Sequence, residues 1–193
     1  MANIVLLGGN GYIGRNTTKE WLKRDPEAMF FVVSRSGKNS LEDDRIVNIQ
    51  DDLTDVEALK GKLPADVDYI VSFVGVAAVP KGSDKTLSEL NIAPAKVERA
   101  LAEAYHVKAM GAIGGKLGSK AFTKSKSDML DYLRESSIPV EAVEPTLVYG
   151  AGRKDALTKM VPMLKFFGMF SKTMKPVQVK DVARELVDKM LQH

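Results

Sequence analysis

The sequence predicts a single α/β domain, a doubly wound parallel sheet with helices on both faces and a small C-terminal lobe over residues 151–193. Three observations predict it. Short apolar runs rich in Val, Ile and Phe alternate with longer amphipathic stretches. Those runs lack the strict in/out alternation of half-exposed strands, as strands buried on both faces do. The first run is joined to the first amphipathic stretch by a glycine-rich turn.

In chain order, strands are expected at Asn3–Leu7, Met29–Ser34, 46–49, 69–74, 108–113 and 140–144, and helices at Tyr12–Arg24, Val56–Lys60, 83–105 and 122–136. Pro94 cannot donate to a helical ladder, so the third helix is expected to kink there or to divide near Asn91. After Gly150-Ala151-Gly152 come a helix over 155–167, an extended piece over 176–179 and a closing helix over 181–191, with Asp181 as its N-cap. No repeat or long linker interrupts the pattern, and 193 residues suit one domain.

Composition narrows the function classes. There are 28 Lys and Arg against 25 Asp and Glu, a net charge of +3, and 45% of residues are hydrophobic. Basic residues are interleaved with acids; the densest cluster, Lys116 to Lys126, holds four lysines among small residues, so a nucleic-acid surface is not expected. With no cysteine and only His106 and His193, thiolate chemistry, disulfides and a metal site are not expected either. No apolar run approaches the roughly 20 residues that span a bilayer. The apolar start at Ile4–Leu7 lacks a basic leader, and the expected location is cytoplasmic.

The strongest motif is Gly8-Gly9-Asn10-Gly11-Tyr12-Ile13-Gly14, directly after a strand and directly before a helix. A chain that turns sharply from strand to helix, and brings its backbone against a pyrophosphate, needs residues without Cβ. The helix N-terminus then offers free N–H groups and a positive dipole end to the phosphates. Gly9-x-Gly11-x-x-Gly14 has the spacing of a dinucleotide fingerprint, and Gly8-x-x-Gly11-x-x-Gly14 a related one. The fold is therefore read as Rossmann-like, with residues Gly8 to Gly14 at a nucleotide cofactor. An NAD site usually places a carboxylate at the end of the second strand, on the ribose 2′-OH. Here that strand ends in Ser34-Arg35-Ser36-Gly37-Lys38. Arg35 suits a 2′-phosphate, Ser34 or Ser36 can donate to it, and Arg15 after the last glycine can close the other side, so NADP is expected ahead of NAD.

Over most of its length the chain resembles the extended short-chain dehydrogenase/reductases, in an atypical form of the epimerase/dehydratase-like or NAD(P)H-binding kind. Besides the glycines and Ser34-Arg35, the resemblance rests on Asp52-Leu53, Phe73-Val74-Gly75, Asn91, the Pro145-Thr146-Leu147-Val148-Tyr149-Gly150 segment and the Pro176 to Ala183 junction. It implies that Asp52 and Leu53 hold the adenine, that Val74 and Gly75 line the adenosine and its ribose, and that Pro145 runs under the nicotinamide. It further implies a Tyr-x-x-x-Lys at the helix after the fifth strand, the Lys on the nicotinamide ribose and the Tyr exchanging the substrate proton.

At that place the chain reads Phe122-Thr123-Lys124-Ser125-Lys126. Lys126 is still suited to the ribose, as the candidate catalytic-site cation; phenylalanine transfers no proton. Ser119 and Ser125 are nearby hydroxyls, and Tyr149 and Tyr12 are the phenols the fold brings nearest, both also readable as packing residues. His106 reads as a solvated turn residue. The short residue 151–193 lobe disfavours a nucleotide-sugar substrate. The Met- and Phe-rich stretch 160–170 reads as core or homo-oligomer packing, or as a pocket or membrane-surface contact for an apolar compound. Two functions follow: an oxidoreductase acting on a small carbonyl or quinone-like molecule, or a noncatalytic NAD(P)H-dependent regulator or assembly factor.

Overall fold

The computed structural model describes residues 1–53, 55–153, 161 and 175–193. Six parallel strands, Asn3–Leu7 (β1), Met29–Ser34 (β2), Ile46–Gln50 (β3), Tyr69–Ser72 (β4), Ala109–Ile113 (β5) and Val140–Val143 (β6), form one sheet in the order β3-β2-β1-β4-β5-β6. The chain winds outward from β1 to β3, then crosses back past β1 to β4 and on to β6. This is the doubly wound arrangement expected. The direction reverses between β1 and β4, which opens a crevice at their carboxyl ends.

The strands sort their side chains by parity. From β1, Val5 and Leu7 enter one apolar layer with Leu59, Leu101, Leu130 and Leu133. Ile4 and Leu6 enter the other with Trp21, Phe30, Leu186 and Met190. Helices Val56–Lys60 (α2), Leu87–Tyr105 (α3) and Lys120–Arg134 (α4) cover the first face; Tyr12–Arg24 (α1) and the closing helix Val179–Met190 (α5) cover the second. A short parallel pair, Val148–Tyr149 (β7) with Val177–Gln178 (β8), joins the chain after β6 to the start of α5.

Several boundaries differ from the sequence expectation. The third helix starts at Leu87 rather than residue 83, because Thr86 and Glu89 form a reciprocal capping box that fixes its origin. It runs unbroken through Pro94 and does not divide at Asn91: burial of Pro94, Ala95, Val97 and Leu101 offsets the lost ladder bond. The fourth helix begins at Lys120, since the Ser119 hydroxyl accepts from the Phe122 N–H. Asp181 is not the cap of α5. Val179 is buried with Val182, Ala183 and Leu186, so the apolar face recruits the preceding residues and leaves Asp181 in the first turn, where its charge still complements the helix dipole. The fourth strand stops at Ser72, and Phe73-Val74-Gly75 leaves the sheet to wall the crevice. His106 is the left-handed C-cap of α3. The helix expected over 155–167 and the 160–170 stretch lie, Val161 apart, outside the described residues.

Trp21 is the centre of the α1/α5 layer, fully buried and set against the Phe30 ring edge-on at 6.2 Å and Tyr69 at 5.6 Å. Replacing it (Trp21→Ala) leaves a cavity under both helices, and chemical denaturation is predicted to show a loss of about 3–5 kcal/mol.

Candidate functional site

The turn after β1 is built by backbone-to-backbone contact. A Cβ on Gly14 would lie 2.6 Å from both Cα and O of Gly9, and one on Gly9 would lie 2.7 Å from Leu6 Cβ. These two glycines therefore serve close packing of α1 on β1. Gly8 has φ +71°, a conformation costly for other residues, and a Cβ there would meet Val74 Cγ2 at 2.9 Å. Gly11 is the N-cap of α1; no side chain caps it and no acid stands in the first turn. The N-terminal amides of α1 thus face a recess of about 470 Å³ lined by Gly11, Tyr12, Ile13, Gly14, Phe73 and Arg153.

On the β2 side of this turn lies a second cavity of about 330 Å³. It gathers Gly8, Asn10, Ser34, Arg35, Asp52, Leu53, Val74 and Gly75 from four separate parts of the chain. Arg35 is exposed on the turn after β2, and its backbone carbonyl is held by Gln50 Nε2. Leu53 adopts φ +61°, held by Asp51, whose Oδ1 accepts the Leu53 N–H at 2.8 Å while Oδ2 pairs with Lys62 at 2.8 Å. Asn10 reaches over to the Lys38 carbonyl and tethers the Ser36–Lys38 turn to the glycine turn. Arg15 does not join this cavity: its guanidinium donates to the Asn10 carbonyl and braces the glycine turn from within its own helix.

Beyond Gly75 the crevice continues into a cavity of about 550 Å³ whose lining includes Ile13, Phe73, Gly75, Phe122, Lys126 and Pro145. Here α3 and α4 meet. The Asn91 carboxamide is fully buried; its Oδ1 accepts from the Val76 N–H, and its Nδ2 donates to the Leu87 and Val76 carbonyls and to Ser125 Oγ. A Cβ on Gly75 would fall 2.7 Å from both Asn91 Oδ1 and Lys126 Nζ, so the ammonium reaches this spot because residue 75 has no side chain. Lys126 is only 9% exposed, and its single hydrogen-bond contact among the described residues is Met129 Sδ at 4.0 Å. Burial pulls its pKa below the usual lysine value, against the pull of the Glu98 carboxyl.

Phe122, one turn before Lys126, lies across the loop that follows β5. Cβ atoms on Gly115 and Gly118 would each come within 2.7 Å of its ring. The ring therefore occupies space that this pair of glycines vacates. The phenols considered as substitutes are elsewhere: Tyr149 lines a different cavity, with Lys116, Glu144 and Asp181, and Tyr12 donates its hydroxyl to the Gly150 carbonyl beneath the Arg153 guanidinium. Ser119 does line the Lys126 cavity, whereas Ser125 is buried between Asn91 and the Phe122 carbonyl.

These residues fit a dinucleotide, in three stretches of one crevice: a cation and hydroxyls after β2, uncapped amides at α1, and a buried ammonium without an oxygen partner beside Gly75. Glu98, Arg153 and the Gly115/Gly118 pair were not singled out from sequence. Glu98 had one signal: it stands seven residues after Asn91 and three before Leu101, on the buried face of α3.

Comparison with known proteins agrees with this geometry. No curated protein matches the chain. Among solved structures, the Bordetella bronchiseptica enzyme WbmH in complex with NAD+ aligns over 97% of this chain and 72% of its own at 19% identity, TM-score 0.68. The UDP-Glc/GlcNAc 4-epimerase of Campylobacter jejuni aligns over 100% and 76% at 15% identity, TM-score 0.73. A Tyr-to-Phe variant of ElxO with NADPH bound aligns over 95% and 88% at 18% identity, TM-score 0.67. At such identities these likenesses establish a common fold. The family model matches residues 4–122, well over half of the sequence, and the chain belongs to the NAD dependent epimerase/dehydratase family.

Proposed function

We propose that the chain is an NADP(H)-dependent reductase of a small carbonyl or quinone-like compound. The observation that carries this reading is the buried Lys126 ammonium beside Gly75, which makes no hydrogen bond to oxygen among the described residues, at the far end of a crevice that starts at Arg35. A bound nicotinamide cofactor supplies the hydride.

The chain's own residues bind and orient. The α1 amides and dipole receive the pyrophosphate. Ser34 and Arg35 engage the 2′-phosphate, with Asp52 and Leu53 at the adenine and Val74 and Gly75 along the ribose. Lys126 donates to the second ribose, and Pro145 supports the nicotinamide. Phe73, Leu117, Phe122, Leu147 and Val148 make the adjoining cavity largely apolar. No phenol stands beside Lys126, so a ketone lacks its usual proton donor; a quinone, whose reduced oxygens take protons from water readily, fits better. WbmH binds NAD+ and the ElxO variant NADPH, so the fold accommodates either cofactor, and the NADP preference rests on Arg35 and the absence of a carboxylate at the end of β2.

A second reading, a noncatalytic regulator responding to the NADPH/NADP+ ratio, is favoured by one observation: the Phe122 ring fills the position of the proton donor and is seated on glycines. Turnover distinguishes the two.

Titration of the protein with NADPH and NADH, followed by cofactor fluorescence, is predicted to show at least tenfold tighter NADPH binding. Arg35→Ala should remove about 1.5–3 kcal/mol of that preference while leaving NADH affinity unchanged. Equal affinities in the unaltered protein reject the assignment. In a turnover assay with NADPH, the unaltered protein reduces quinones but not simple ketones. Phe122→Tyr should raise ketone reduction by about 10²–10⁴-fold and change quinone reduction little. Absence of turnover by both proteins on either acceptor class supports the regulator.

A further inference from the structure

Glu98 is the one carboxyl group set inside the α3–α4 layer of the sheet among the described residues. It is 1% exposed, and its Oε1 has no hydrogen-bond partner there. The neighbouring positions on this face of α3 are Pro94, Ala95, Leu101 and Ala102, all buried, so an apolar side chain at 98 would pack without the cost of desolvating a carboxyl. The position also has a direction. Seven residues are two helical turns, so α3 presents Glu98 on the same buried face as Asn91, about 10 Å along the axis. Asn91 touches the Gly75 site directly. From the opposing helix, Lys126 brings its Nζ to that site.

The surrounding charges are otherwise accounted for. On α4, Lys124 pairs with Asp128 at 2.8 Å and faces solvent. On α3, Arg99 pairs with Glu103 and Glu135, and Lys96 is exposed. At the far end of the sheet, Lys108 from the chain before β5 pairs with Asp68 from the chain before β4. Lys116, after β5, lines another cavity. Glu98 and Lys126 are the two buried charged side chains among the described residues, opposite in sign and carried by the two helices that pack together.

We propose that Glu98 is a positioning residue of the cofactor site, a counter-charge behind Lys126 that keeps the ammonium protonated at alkaline pH and available to the cofactor ribose. The inference rests on the cofactor role proposed for Lys126. Its physical basis is that two buried groups titrate as a pair. Burial pushes the Glu98 carboxyl well above the ordinary carboxylate range, so at acid pH it is neutral and inert toward Lys126. As pH rises the carboxyl ionises, and its negative charge then opposes loss of the Lys126 proton, which burial alone favours. Lys126 thus gains its partner in the pH range where it would otherwise become uncharged.

The test uses the full chain with NADPH as probe and three proteins: unaltered, Glu98→Gln and Glu98→Asp. NMR titration of isotopically labelled lysine, with the Lys126 signal assigned through Lys126→Arg, should show the Lys126 midpoint about one pH unit lower in Glu98→Gln, and partly restored in Glu98→Asp. NADPH affinity of Glu98→Gln should match the unaltered protein within about twofold near pH 6.5 and be about tenfold weaker near pH 9, the equivalent of one pH unit. A purely packing role for Glu98 predicts affinity curves that stay parallel in pH and an unmoved midpoint, and that result overturns the proposal. If the unaltered protein binds neither NADPH nor NADH, the cofactor reading falls and the role of Glu98 with it, even where the midpoint moves. An unmoved midpoint with normal binding rejects Glu98 alone.

Folding of the variant is checked by its sign. The unaltered protein loses stability as pH rises above the ordinary carboxylate range, because the folded state holds the Glu98 proton more tightly than the unfolded chain does. Glu98→Gln lacks that loss, so its thermal midpoint should exceed the unaltered one by a margin that widens with pH. Should Glu98→Gln fail to fold, the unaltered chain still decides: Lys126 and Glu98 resonances must respond to a shared titration step, and independent steps refute the pairing.

Discussion

The backbone of α1 lies against the backbone of the turn that precedes it, at a distance that no side chain at Gly9 or Gly14 would permit. The rest of the architecture depends on that approach. It sets α1 close enough to β1 for Trp21 to reach Phe30 and Tyr69 through the layer, and it gives α5 a fixed surface on which to bury Val182, Leu186 and Met190. It also aims the N-terminus of α1 into the crevice between β1 and β4. The cap position is a glycine, so the amides there have no side chain of their own to answer them. Packing and ligand chemistry are therefore satisfied by the same few residues.

Electrostatics along the crevice follow from where the strands end. Arg35 extends from the end of β2, the α1 dipole lies at the end of β1, and Lys126 arrives from α4 over the loop that follows β4. Three positive features in line suit an elongated anion better than a compact one. They differ in their surroundings: Arg35 is exposed, whereas Lys126 has given up most of its hydration, and burial lowers its pKa from the usual lysine value.

Much of the fold was legible because its signals are local. The apolar runs mark all six strands of the main sheet to within two residues, and the glycine spacing marks the turn without reference to anything distant. Helix origins were less legible, since they depend on side-chain caps such as Thr86 with Glu89 and Ser119 with Phe122, or on burial of a residue such as Val179 that lies outside the polar-to-apolar boundary. The site divides in the same way. Gly8, Gly11 and Arg35 announce themselves by motif, whereas Glu98 sits in a helical run, VERALAEA, where an acid normally reads as a solvated residue. Its significance arises only when α4 is packed across α3. Arg15 follows the motif directly, and the pitch of α1 turns its guanidinium back onto the Asn10 carbonyl, a contact that sequence does not reveal.

Phe122 and the loop after β5 are fitted to each other. Here Gly115 and Gly118 both lack the Cβ that would strike the ring, and Gly118 adopts φ +153°, a backbone conformation that L residues rarely hold. The fit is mutual: a side chain on either glycine would displace the ring, and with it the wall next to Lys126. The ring gives the cavity beside Lys126 an aromatic wall, continuous with Phe73, Ile113 and Leu117 in the same lining.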